Sequence, residues 1–230
     1  LIMDFSKLST SKIHADRSPK KRDIDYDKYQ ALYESEETDP RNTDFYPTDP
    51  EVRRAYILQV WFGVKRTRKR GVKITNSWGD VSELSGTGLE LGFNWGGSLK
   101  WLLDRYPDVV MDGVDFSSYM IENAPVFKEV FGDRARDFME ASCHEVPKPD
   151  ETYDFINACS MFEHLPECIY WQTIRECWRL LKPGGLIGVY LDQGRAFGTH
   201  LRMDLVDVTV KDMTANGFTR ITDYRFMKVK

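Results

Sequence analysis

Two short stretches concentrate the residues whose types and spacing could do chemistry. In Leu89-Glu90-Leu91-Gly92-Phe93-Asn94-Trp95-Gly96-Gly97-Ser98 an apolar run passes into a glycine turn and then into an amphipathic segment. Glycine lets the backbone take positive φ and lets a ligand approach without meeting a Cβ, while a helix starting there offers unpaired N–H groups. In Val109-Val110-Met111-Asp112-Gly113-Val114-Asp115-Phe116 an acidic residue closes the next apolar run, at the distance a second strand of a βαβ unit would have. Together the two stretches have the build of a nucleotide-cofactor site.

The glycine spacing narrows the cofactor. A dinucleotide fingerprint, G-x-G-x-x-G, would place its second glycine at position 94, where Asn94 stands, and Gly96-Gly97 follow directly. A pyrophosphate-binding loop, and with it a nicotinamide dehydrogenase, is therefore disfavoured. The looser order from Glu90 through Gly92 to Gly96 resembles the first motif, E/D-x-G-x-x-x-G, of the class I S-adenosylmethionine-dependent methyltransferases, in particular a small-molecule, type 11-like branch.

The resemblance continues in order from about Thr87 to the C-terminus. Asp115-Phe116-Ser117 is similar to the family's acidic end of the second strand, and the likeness implies a carboxylate that accepts hydrogen bonds from both ribose hydroxyls. The stretch from Glu140 through Ser142, Cys143 and His144 to Pro147 resembles the adenine-side loop, although many relatives carry an aspartate about where Ser142 falls. Met161-Phe162-Glu163-His164-Leu165-Pro166 resembles the segment after the fourth strand, and Glu176 to Leu186 the helix, tight turn and fifth strand. The resemblance implies S-adenosyl-L-methionine as cofactor, S-adenosyl-L-homocysteine as product, and a cofactor site of Glu90, Gly92, Asn94, Gly96, Asp115, Phe116, Ser142 and Cys143.

Several of these residues have two readings. Glu90 either anchors the glycine turn or reaches the cofactor amino group through water. Asp115 can cap the helix that follows it as well as bind ribose. His164 stands where open α/β proteins place their sites and could take a proton from an acceptor, or its pairing with Glu163 merely orients the loop. His200, in Phe197-Gly198-Thr199-His200-Leu201-Arg202, belongs to a long loop after the fifth strand and is a candidate for substrate contact. No third ligand with recognisable spacing joins His144 and Cys143, so no metal is expected.

Composition bounds the rest. The chain has 230 residues and a net charge of −4, with its first 86 residues slightly basic and the remainder acidic. No global basic field advertises nucleic acid. The local run Lys65-Arg66-Thr67-Arg68-Lys69-Arg70-Gly71-Val72-Lys73 could follow phosphates, or simply complement a helix C-terminus. Cys143, Cys159, Cys168 and Cys177 form no C-x-x-C pair, and a reduced cytoplasmic protein without a membrane span or signal peptide is the simplest account. The acceptor reading is a small molecule. Alternatives are an RNA or protein methyltransferase, or a cofactor-binding regulatory module without catalysis. The fourth strand leads into Asn157-Ala158-Cys159-Ser160 rather than the Asn/Asp-Pro-Pro-aromatic clamp of amino-methylating nucleic-acid enzymes.

The elements that must position these residues alternate beyond Thr87. Strands are expected at Gly88–Phe93, Val109–Asp115, near Phe138, at Tyr153–Ala158 and at Leu186–Leu191, with helices at Ser98–Arg105, Ser118–Phe131 and Tyr170–Leu181. A helix around Leu205–Asn216 and two strands, Phe218–Asp223 and Arg225–Lys230, end the chain across an unusually short turn. The fold class is α/β: a Rossmann-like, doubly wound, mostly parallel seven-strand sheet over residues 87–230, with helices on both faces. Residues 1–86 form an N-terminal extension. It comprises a tail, a helix at Asp25–Glu34 bearing Tyr26, Tyr29 and Tyr33, and a helix opened by Thr48-Asp49-Pro50-Glu51. Val52, Ala55, Tyr56, Gln59, Trp61 and Phe62 are expected to form the packing face of that second helix, and Tyr26, Tyr29, Tyr33 and Trp61 could instead line an acceptor pocket or lid.

Overall fold

The computed structural model describes residues 27, 30, 31, 46–62, 77–191 and 205–229. The expected helix Asp25–Glu34 is described only at Asp27, Gln30 and Ala31, which are helical. Tyr26, Tyr29, Tyr33, the basic run Lys65 to Lys73 and His200 lie outside the described residues.

Five strands run parallel: β1 (Gly86–Leu91), β2 (Val109–Asp115), β3 (Ala135–Glu140), β4 (Tyr153–Cys159) and β5 (Leu181–Tyr190). β6 (Phe218–Thr222) and β7 (Arg225–Lys228) complete one edge antiparallel, giving the order β3-β2-β1-β4-β5-β7-β6. The short turn between the last two strands is a two-residue connection, Asp223-Tyr224, so β6 folds straight back on β7.

Period-two alternation sends side chains to opposite faces, and helices cover both. Leu89, Leu91, Val114, Ile156 and Ile187 pack under α5 (Glu167–Leu180) and α6 (Leu205–Ala215), through Tyr170, Ile174, Cys177 and Met213. Met111 and Phe155 point to the other face, against α1 (Pro50–Phe62), α2 (Gly97–Arg105), α3 (Ser118–Ile121) and α4 (Ala124–Phe131).

Four expectations are corrected. The helix expected over Ser118–Phe131 divides into α3 and α4, because Pro125 has no N–H to give the preceding turn and its ring crowds that turn's carbonyl. The first strand begins and ends two residues earlier than its apolar run. The fifth strand begins at Leu181, since Leu181 pairs with Tyr153 and a register shift takes up the Lys182-Pro183-Gly184-Gly185 turn. Among the described side chains of α1 the buried ones are Arg53, Tyr56, Ile57 and Trp61, one stripe at helical spacing, whereas Val52, Ala55 and Gln59 are exposed and the Phe62 side chain lies outside the described set. Its start follows the expected cap chemistry: Asp49 Oδ1 accepts from the Glu51 and Val52 N–H groups, both at 3.0 Å, and Pro50 opens the first turn.

Candidate functional site

The chain leaves β1 toward β2 and β3 on one side and returns to β4 and β5 on the other. Loops at the carboxyl ends of β1 and β4 therefore diverge and leave a crevice. The two loops meet at its floor, where a Cβ on Gly92 would lie 3.1 Å from Met161 Cγ.

The loop after β1 holds three positive φ angles within five residues: Gly92 at 63°, Asn94 at 48° and Gly96 at 70°. Asparagine tolerates this conformation, and here its Oδ1 accepts from the Trp95 N–H at 2.7 Å. Gly96 has a second constraint, because an added Cβ would fall 2.7 Å from the Phe127 ring. The Gly92 N–H donates to Val114 O at 2.8 Å, and the Gly96 N–H to Phe93 O at 2.7 Å. The turn is thus tied to the sheet at one end and to itself at the other.

Asp115 closes β2 and is buried. Its Oδ2 accepts the Asn94 N–H at 3.0 Å and its Oδ1 the Ser117 N–H at 3.1 Å. The helix cap is a different side chain: Ser117 Oγ accepts the Met120 N–H at 3.2 Å. Burial pushes the Asp115 carboxyl up to about 6, against the opposing effect of the backbone N–H groups of Asn94, Ser117 and Phe116. A carboxylate has about four acceptor positions, so with these backbone N–H groups in place it retains capacity for a hydroxyl donor.

Glu90 lies under the loop, 1% exposed. Its Oε1 accepts from the Ser98 hydroxyl and its Oε2 from Asn157 Nδ2 at 2.8 Å, while Trp78 Nε1 donates to Asn157 Oδ1 at 2.7 Å. Burial pushes its carboxyl up to about 8. Of its two readings, this geometry is that of an anchor joining β1, β4 and the first turn of α2.

Phe116 is half-buried and packs with Met139, Ala141 and Cys143 against the core under α5. Ser142 Oγ pairs with His144 Nδ1, and Cys143 Sγ lies 3.4 Å from Thr173 Oγ1. Burial raises the Cys143 thiol to about 11, so it stays protonated at neutral pH, and burial also lowers the His144 imidazole. Helix α5 holds the rest of this loop. Glu176 Oε1 accepts the Val146 N–H at 2.8 Å. Arg179 donates to Val146 O at 3.1 Å, Lys148 O at 2.8 Å, Asp150 Oδ1 at 2.8 Å and both Glu176 oxygens at 2.7 and 2.8 Å.

His164 ends the 3-10 turn Phe162–His164 and is half-buried, its N–H donating to Met161 O at 2.9 Å. Met161 thereby links the His164 turn to Gly92. Among the described residues no group of three or more His, Cys, Asp or Glu side chains could hold a metal.

Sequence reasoning gave no role to Ser98, Asn157, Trp78, Glu176 or Arg179. Each acts by supporting a site residue rather than by standing in the crevice, and a linear motif shows no such partnership. The one available signal was position: Ser98, Asn157, Glu176 and Arg179 fall inside motif segments.

The donor set fits a nucleoside with free ribose hydroxyls. Asp115 is a buried acceptor at the end of β2, the glycine turn presents backbone beside it, and Phe116 with the Ser142–Cys143 loop borders the same end of the sheet. The family described as methyltransferase domain matches residues 89–185. A stretch of 84 residues is 32% identical to 27-O-demethylrifamycin SV methyltransferase of Amycolatopsis mediterranei (strain S699), covering 36% of this chain and 30% of that protein. A stretch of 105 residues is 30% identical to a sterol 24-C-methyltransferase of Aspergillus fumigatus, covering 44% and 26%. The matched stretches thus span less than a third of these curated relatives. Among solved structures, the 1,6-didemethyltoxoflavin-N1-methyltransferase of Burkholderia thailandensis, bound to 1,6-didemethyltoxoflavin and S-adenosylhomocysteine, superposes with a TM-score of 0.54. It is 14% identical, and the match covers 78% of this chain and 88% of that one, a likeness of fold.

Proposed function

We infer, for a chain that belongs to the class I S-adenosylmethionine-dependent methyltransferases, that it transfers the sulfonium methyl group of S-adenosylmethionine to a small-molecule acceptor. The observation that carries this reading is the Asp115 carboxylate, buried at the end of β2 and bonded to Asn94 of the positive-φ turn. S-adenosylmethionine, when bound, supplies an already activated methyl group, so the protein's task is chiefly alignment. In this reading Asp115 takes the ribose hydroxyls, Gly92, Asn94 and Gly96 shape the turn that receives the cofactor, and Phe116, Ser142 and Cys143 border the adenine. Glu90 keeps the turn in place from below. His164 takes the acceptor's proton.

A small acceptor is favoured over RNA or protein by two features. The rifamycin and sterol enzymes resembled in sequence are named for small molecules. The segment after β4 also lacks a Pro-Pro clamp. The test is transfer of labelled methyl from S-adenosylmethionine into a cell extract separated into small-molecule, RNA and protein fractions. Label in the small-molecule fraction is expected; label confined to RNA or protein would overturn the acceptor class. His164→Asn should lower kcat about tenfold or more without changing affinity for S-adenosylhomocysteine, and an unchanged kcat would remove the proton-acceptor role.

A further inference from the structure

The residues that hold the glycine turn are not confined to the family-matched stretch 89–185. Trp61 of α1 is buried, and its Nε1 donates to the backbone carbonyl of Trp95 at 2.7 Å. The same indole stacks on Phe127, with centroids 5.2 Å apart, and would stand 3.2 Å from a Cβ at Gly96. Trp95 is enclosed by two further rings of this segment, Tyr56 at 4.6 Å and Tyr46 at 6.3 Å between centroids.

The segment also grips the helices that follow β2, on the same face of the sheet. Pro47 O accepts from Tyr119 Oη at 2.8 Å and from Arg53 Nε at 3.2 Å. Tyr119 lies on α3, the helix that follows Asp115, and the Arg53 guanidinium sits 4.1 Å above its ring centroid. Arg53 pairs with Glu122, and Arg54 Nε donates to Glu129 Oε2 of α4 at 2.9 Å. One continuous segment therefore bonds to the turn after β1 and to the helices after β2, the two pieces that Asp115 joins from beneath through the Asn94 N–H.

We propose that residues 46–62 are a strap completing the cofactor site from outside the family-matched stretch, with Trp61 and Tyr119 as positioning residues that fix the glycine turn and α3 relative to each other. The strap touches no reacting atom. Its effect is pre-organisation: a turn with three positive φ angles is held in its binding conformation before the ligand arrives, so less ordering is left for the binding step. This inference rests on the cofactor reading given above.

The test compares Trp61→Phe, Tyr119→Phe and Trp101→Phe with wild type. Trp101 is half-buried on α2 and packs on Tyr106, with centroids 6.1 Å apart, so it controls for loss of an indole as such. Two readouts are taken: calorimetric affinity for S-adenosylhomocysteine, and hydrogen–deuterium exchange of the segment 92–99 in the ligand-free protein. Trp61→Phe keeps most of the ring packing and loses the N–H, and should weaken binding about five- to tenfold while speeding exchange in 92–99. Tyr119→Phe, which removes one hydroxyl and leaves the fold intact, should weaken binding about threefold, and it decides the matter if Trp61→Phe does not fold. Trp101→Phe should leave both readouts at wild-type values. Unchanged affinity and exchange in the two strap variants, or an equal loss in Trp101→Phe, would overturn the proposal. Absence of binding by folded wild type would instead defeat the cofactor reading, leaving the exchange comparison to judge the strap alone.

Discussion

The backbone N–H of Asn94 donates to Asp115 Oδ2 at 3.0 Å, so the turn after β1 and the end of β2 are one hydrogen-bonded unit. Burial sets the ionisation of that unit, with the carboxyl pushed up to about 6. In the proposed role of Asp115 ribose hydroxyls would donate to the ionised form, so affinity for S-adenosylhomocysteine should be flat above about pH 7 and fall toward tenfold per unit below about pH 6. Isothermal titration across pH 5 to 8 measures this, and a flat profile would dissociate Asp115 from binding.

Glu90→Gln should reverse its effect on stability with pH. The folded-state carboxyl sits at about 8, above its ordinary value of 4.5, so its contribution is fully present below about 4.5 and is lost as pH rises through 8. Glutamine can accept from Asn157 and donate to Ser98 without ever ionising. Denaturant unfolding should show the variant gaining on wild type from pH 5 to pH 8, by a few kcal/mol in order of magnitude. A difference independent of pH would contradict the raised carboxyl.

Much of this fold could be read from the chain because its determinants are local. The apolar runs at β1 and β2 are bounded by glycine or acidic residues, and Asp49-Pro50 announces α1 by cap chemistry. The break at Pro125 and the early start of β5 depend on a single backbone donor and on pairing with Tyr153, neither of which produces a periodicity. The site divides in the same way. Gly92, Gly96 and Asp115 stand in one linear pattern, whereas Asn157 meets Glu90, and Trp61 meets Trp95, only after the sheet has closed.

Gly96 and Gly184 separate backbone strain from packing. Both have positive φ, at 70° and 80°, yet a Cβ at Gly96 meets the Phe127 ring at 2.7 Å while a Cβ at Gly184 meets nothing within 4 Å. Gly184→Ala should therefore cost about 1 kcal/mol, and Gly96→Ala about 1–3 kcal/mol more, from overpacking added to strain. Thermal or denaturant unfolding of both variants checks this, and equal losses would show that Phe127 yields without cost.

Arg179 fastens the loop after β3 to α5 through three acceptors, Val146 O, Lys148 O and Asp150 Oδ1, while Glu176 of α5 holds its guanidinium with both carboxylate oxygens. A lysine keeps the charge and loses the fork, so it cannot hold Val146 O, Lys148 O and Asp150 together. Arg179→Lys should weaken S-adenosylhomocysteine about tenfold and S-inosylhomocysteine less, because in the proposed site the loop would border the base. Competition binding with the two nucleosides checks this, and an equal loss for both would place the effect in global stability.

The most direct measurement is calorimetric titration of S-adenosylmethionine and S-adenosylhomocysteine into wild type and Asp115→Ala. Micromolar binding to wild type that falls at least about a hundredfold in the variant is expected, since both the ribose acceptor and the Asn94 tie are removed together. No binding by folded wild type, or equal binding by the two proteins, would contradict the assignment of this crevice to S-adenosylmethionine.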